Sequence, residues 1–239
     1  MSSAKRVLSS FVGANLALII FATVLGLLSK NANPSRYFGE GRFTTGASCL
    51  QLLLIAFFSA RIFLLRRSGP PTAGFRASYW VWALMAAGFV FLAADDALKL
   101  HEHLDSWLLK TFAIEKTPFT DRLDDLLIAL YGLIGAAVLW LCRHELLSLK
   151  VILPPLGAGF VCLFISVLGD TLSNGETLLL WLTGGDLPLA KRLDGWFSVV
   201  DGAFTLLAEG FFAAGFCAGW LQAREEARVV TVPAPTVSL

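Results

Sequence analysis

Six apolar stretches decide what this chain can become: about 7–28, 44–65, 79–100, 123–142, 151–171 and 196–221. Each is close to the roughly 20 residues a membrane-spanning helix needs. In hydrocarbon every backbone N–H and C=O must find its partner within the protein, and for runs of this length the solution is a helix. The expected fold is all-α: a polytopic bundle of six transmembrane helices over residues 1–228, followed by a disordered, Pro-containing tail at 229–239. Charged residues make up only 15% of the chain, against about 25% in soluble domains. The net charge of +1 offers no basic face to nucleic acid. Cys49, Cys142, Cys162 and Cys217 all lie in apolar runs, with no C-x-x-C pair, and read as small buried hydrophobes.

Lys5 and Arg6 precede the first apolar run, which is long for a signal peptide and has no A-x-A-like site after it. It is expected to stay as the first helix. Basic residues then set an orientation. Arg61, Arg66, Arg67 and Arg76 surround the second connection, Arg143 and Lys150 the fourth, and Arg224 and Arg228 follow the last helix. The opposing loops carry Lys30, Arg36, Arg42, Lys110, Lys116, Arg122, Lys191 and Arg192, so the bias is modest. It favours cytoplasmic N- and C-termini and an inner (plasma) membrane location. Leu104–Ile114 reads as a short interfacial helix and Glu176–Ala190 as a lid or interfacial segment, too short to span.

The chemistry gathers where the third apolar run ends, at Phe91-Leu-Ala-Ala-Asp-Asp-Ala-Leu-Lys-Leu-His-Glu-His-Leu-Asp105. Charges in a membrane-length run are costly, and they point by default to a functional polar centre. With alternating helices, Asp95, Asp96, Glu102 and His103 reach the same outer level as Asp121, Asp124 and Asp125 on the fourth helix, Asp170 on the fifth, and Asp194 and Asp201 on the sixth. If the third helix continues unbroken, residues seven apart eclipse, pairing Asp95 with Glu102 and Asp96 with His103. Glu209 is expected deeper, near the midplane. So many carboxylates cannot all stay ionised in a dry site. A bound cation, protonation, or pairing with Lys99, Arg122 or Arg192 would resolve this.

Carboxylates with one or two histidines suit a hard divalent cation. The expected metal set is Asp95, Asp96, Glu102, His103, Asp125, Asp170 and Asp201, with Glu209, Lys99 and His101 as proton-pathway or polar-core residues. His144 sits at the far end of the fourth helix, which rules against a three-histidine site. A bland reading stands beside this one: acids near helix ends also serve the dipole and meet water. Gly215-Phe-Cys-Ala-Gly219 is a small-xxx-small face, suited to close helix packing, whether with a second copy or a larger membrane complex.

Asp95-Asp-Ala-Leu-Lys-Leu-His-Glu102, with Asp170 and the later Asp201 and Glu209, resembles uncharacterised bacterial multi-pass membrane proteins that carry an acidic pair followed by His-Glu at the outer end of a helix. The resemblance covers the third to sixth helices and implies no particular activity. A looser similarity is to ceramidase-type membrane hydrolases, which bind zinc through buried histidines and an aspartate; this chain lacks their His-x-x-x-His and their extra helix. The leading expectation is an integral membrane protein in the lipid bilayer whose extracytoplasmic acidic/His cluster binds a cation, as in a metal-dependent membrane hydrolase acting on a lipid-like substrate. The alternatives are a proton- or cation-coupled transporter and a non-catalytic subunit of a membrane complex.

Overall fold

The computed structural model describes residues 3–30, 32–39, 41–68, 79–112, 123–173 and 176–230. Their regular structure is helical: α1 (Ser3–Leu27), α2 (Phe43–Ser68), α3 (Trp80–Leu98), α4 (Leu100–Thr111), α5 (Leu123–Leu141), α6 (Arg143–Ser148), α7 (Leu153–Ser173), α8 (Glu176–Leu182) and α9 (Leu187–Val230), with 3-10 turns at Pro34–Tyr37 and Lys150–Ile152. Among the described residues, five helices are long and apolar enough to cross a membrane: α1, α2, α3, α7 and α9. The fourth expected span corresponds to α5, whose described apolar part is the shorter stretch Leu130–Leu141. The tail expected from 229 lies outside the described residues from 231 onward, α9 running to Val230. Arg76, Lys116, Asp121 and Arg122 also lie outside them.

The helix around which the others pack is α9, with 44 residues. At ~1.5 Å per residue it is about 66 Å long, well beyond the ~30 Å of a bilayer core. It begins at Leu187, not at Trp196. Lys191, Arg192 and Asp194 end the apolar run but not the helix, because a helix needs apolar residues only where it meets lipid or core. Asp186 starts it, its carboxylate accepting the Leu189 N–H at 3.1 Å, with Pro188 tolerated in the first turn. Helices α7, α2 and α1 pack around it. The core joins Ile55, Phe58 and Ile62 of α2, Trp82 of α3, Ile152, and Phe212 and Phe216 of α9.

Close approach explains the glycines of this bundle. A Cβ at Gly169 of α7 would sit 3.1 Å from the Asp201 nitrogen of α9, and one at Gly159 would run into the Phe212 ring. Gly215 meets Pro155, and Gly219 meets Ile152. The small-xxx-small face is therefore buried within the protomer, against the segment that opens α7.

Two ends are distinguishable. At one, Arg66 of α2 pairs with Glu145 of α6 at 3.3 Å and with Glu226 of α9 at 3.1 Å. There Trp82 Nε1 donates to Glu145 at 2.9 Å. At the other end the Pro34–Tyr37 turn lies over α9: Phe38 packs beside Gly202, and Asn33 and Pro34 lie beside Gly195. Lys99, after α3, reaches the same end, its chain passing Gly41.

Candidate functional site

The polar side chains within the bundle gather toward the end that carries the Pro34–Tyr37 turn. Glu209 of α9 is 6% exposed. Ser48 of α2 donates to its Oε1 at 2.6 Å, while Oε2 is buried with no hydrogen-bond partner. Ser48 is five residues into α2, while Gly210, next to Glu209, contacts Asn15 at the middle of α1. Next to Ser48, the Cys49 thiol lies within donating distance of two acceptors, Asp96 Oδ2 at 3.6 Å and the Ala93 carbonyl at 3.5 Å. Asp96, Cys49 and Glu209 lie within electrostatic reach of one another. Among the described residues, no lysine, arginine or histidine pairs with Asp96 or Glu209.

The neighbouring Asp95 turns to a different partner, as successive helical residues project about 100° apart. Its Oδ2 lies 3.0 Å from His101 Nδ1, and its Oδ1 accepts the His101 backbone N–H at 2.8 Å. Both residues are 5% exposed. The geometry comes from a break: Lys99 is left-handed, at φ 53° and ψ 47°, so α3 stops at Leu98 and α4 restarts at Leu100. That reversal abolishes the eclipsed register. Asp95 meets His101, and His103 is exposed, its Nδ1 2.8 Å from the Lys99 carbonyl rather than beside Asp96. The carbonyl can only accept, so this Nδ1 carries the proton. Asp95 thereby serves as a cap, satisfying one of the N–H groups that open α4. Tyr131 of α5 lies within electrostatic reach of Asp95, beside Phe91.

Asp201 faces α7. It accepts from Ser166 Oγ at 2.6 Å, and Ser166 Oγ also meets Thr205 Oγ1 at 2.8 Å. The eight residues between Asp201 and Glu209 rotate the two carboxyls about 80° apart, which is why one serves α7 and the other α2. Asp170 and Asp194 are half-buried, each with an interaction of its own. The side chains of Glu102, Asp124 and Asp125 lie outside the described residues. The acids of α3 and α9 thus divide among three seams instead of converging on one point. Among the described residues, no group of three or more His, Cys, Asp and Glu side chains is placed to hold a metal ion. Lys99 and His101 each have an interacting partner. His144 is exposed near Glu145, far from this end.

Several members of the centre carry no charge and escape a reading that follows charges. Ser48 and Ser166 are its hydroxyl donors. Asn15 of α1 and Gln51 of α2 exchange amide hydrogen bonds at 3.0 Å in both directions, in contact with Gly210. A Cβ at Gly210 would run into Asn15. The available signal was polarity itself, an amide or hydroxyl inside a spanning run.

Residues 13–224 match the model of a family described as a domain of unknown function (DUF8692). No curated protein and no solved structure matches the chain.

Proposed function

We propose that the chain, which belongs to this domain family, is a six-span plasma-membrane protein with cytoplasmic termini whose buried carboxyl centre takes up and releases protons in a proton- or cation-coupled carrier. One observation carries the reading. Glu209 is a buried acid with one oxygen held by Ser48 and the other unpartnered, and no described base neutralises it. A buried carboxyl oxygen without a donor is costly as an anion and is suited to holding a proton. Asp96 with Cys49, and Asp201 with Ser166, are further carboxyls bound to thiol or hydroxyl groups. Such surroundings suit protons better than a multidentate ion.

A sixth span is supported by the ends of α5. Its start follows α4, with which it packs, and its end leads into α6, whose Glu145 meets Arg66 and Trp82 at the opposite end. Lys5, Arg6, Arg61 and Arg67 lie toward that second end by their place in α1 and α2, which supports its being cytoplasmic. The test is proton flux into proteoliposomes, read with an entrapped pH dye. Wild type should acidify the lumen under an imposed gradient and Glu209→Gln should not; equal flux in both would remove the reading.

Asp95 and His101 favour a second reading, a metal-dependent membrane enzyme acting on a lipid-like substrate. A carboxylate on one ring nitrogen is how proteins orient a histidine whose other nitrogen serves as ligand or base. A divalent ion there would also draw on Glu102 and Asp125. Metal analysis of purified protein separates the two readings: stoichiometric metal lost in His101→Gln supports the enzyme, and metal-free wild type discards it.

A further inference from the structure

An open apolar groove of about 520 Å³ runs between α2 and α3 at bilayer depth, lined by Leu53, Ala56 and Ala60 on one side and Ala86, Ala87 and Val90 on the other. Small side chains on both helices leave the hollow, and Leu53 and Val90 expose half their surface at its rim. The surroundings are acyl chains if these helices span, so an occupant must be apolar along this length. What distinguishes the groove from ordinary lipid-facing surface is where it ends. Cys49, Leu53, Ala56 and Ala60 follow one another at spacings of four, three and four, a single stripe of α2. One turn above Leu53, that stripe reaches Cys49, which is hydrogen-bonded to Asp96. Asp96 is half-buried at the top of the same α2–α3 seam. Behind it lies Glu209 with its unpartnered buried oxygen. Along α2 the stripe from Ala60 to Cys49 covers ~16 Å; the groove follows it as far as Leu53, and the Asp96 carboxyl stands one turn beyond, against Cys49.

We propose that the α2–α3 groove and the Asp96–Cys49 pair together form a binding site for a single-chain amphiphile with a cationic head, the chain lying along Leu53–Ala60 and the head against Asp96. Charge complementarity selects the head. Asp96 stands at this seam with Glu209 within its electrostatic reach, and among the described residues no basic side chain pairs with either. A cation supplies the missing partner, and an anionic head would be repelled. The inference rests on reading Asp96 and Glu209 as an uncompensated acidic centre, and it adds the substrate class that such a carrier would take.

The test uses the full chain in phosphatidylcholine nanodiscs with radiolabelled dodecyltrimethylammonium. Binding should saturate, be displaced by unlabelled ligand, and resist both dodecyl sulfate (same chain, opposite charge) and tetramethylammonium (same head, no chain). Asp96→Asn should weaken it at least about tenfold, the scale of removing one partner of a charge pair. Ala87→Phe, at an exposed position that fills the groove without touching the acids, should do the same. Equal displacement by dodecyl sulfate would reduce the groove to general lipid-facing surface, and unchanged affinity in Asp96→Asn would overturn the assigned head site. Proton flux through Glu209 is measured without the amphiphile, so either result can fail while the other stands.

Discussion

Asp95 holds His101 twice, through the backbone N–H at 2.8 Å and through the ring Nδ1 at 3.0 Å. The contact spans the left-handed Lys99 that separates α3 from α4. One carboxylate thus caps α4 and orients a buried imidazole.

Asp95→Ala should therefore destabilise the protein by about 1–2 kcal/mol, the usual cost of removing a cap. Asp95→Asn keeps an acceptor for the N–H and should recover part of that loss. Unfolding in detergent measures the difference, and amide exchange at His101 should accelerate in the alanine variant. An alanine variant as stable as wild type would mean the cap contributes nothing.

Glu209→Gln should abolish proton flux while staying within about 1 kcal/mol of wild-type stability, because the amide still accepts from Ser48 and carries no charge to bury. Ser48→Ala leaves the acid with both oxygens unpartnered, and should lower the thermal midpoint more than Glu209→Gln does. The opposite order would show that Ser48 is incidental to the acid.

Asn15 and Gln51 should prove coupled. In a double-mutant cycle with Asn15→Ala and Gln51→Ala, the interaction energy should be about 1 kcal/mol, the scale of interhelical hydrogen bonds in membranes. Additive single effects would make the two amides independent.

Gly210→Ala and Gly159→Ala should each cost about 1–3 kcal/mol, since the new methyl meets Asn15 in one case and the Phe212 ring in the other. Gly46→Ala and Gly88→Ala meet nothing within 4 Å. They should instead gain up to about 1 kcal/mol from helix propensity. Thermal midpoints of the four variants in one detergent decide this; a loss at Gly46 equal to that at Gly210 would contradict the packing.

At the opposite end, Glu145→Gln should cost about 1.5–3 kcal/mol, because Glu145 accepts from Trp82 and forms an ion pair with Arg66. The loss should be largely retained at high salt, as Glu145 is only 11% exposed and such pairs are poorly screened. A salt-abolished effect would place the pair at the surface.

The helices were legible because hydrophobic length is a one-dimensional property. The α1, α2, α3 and α7 spans fall where the apolar runs do. The start of α9 was not legible from hydropathy, since a helix can continue through Lys191 and Arg192 once outside lipid. Pairing was not legible either. Eclipsed register assumes an unbroken helix, and nothing in Ala97-Leu-Lys-Leu100 announces a left-handed residue, a conformation that costs lysine roughly 1–2 kcal/mol. The double contact from Asp95 to His101 offsets that cost, and such a contact exists only in three dimensions. The same limit hid the Arg66–Glu145–Glu226 network, of which only Arg66 stood out in the sequence, as a basic residue at the second connection.

By itself the sequence determined the class of fold, the approximate spans, and the presence of carboxyls inside them, because bilayer thickness and the cost of buried charge act on composition along the chain. Only the tertiary structure decided which carboxyl meets which partner. Asp201 turns to Ser166, Glu209 to Ser48, Asp96 to Cys49 and Asp95 to His101. Those choices depend on the rotation of each helix about its axis, which is set by where glycines such as Gly169 and Gly210 let backbones approach and by the turn at Lys99. Rotation leaves almost no trace in a hydropathy pattern that is apolar on every side.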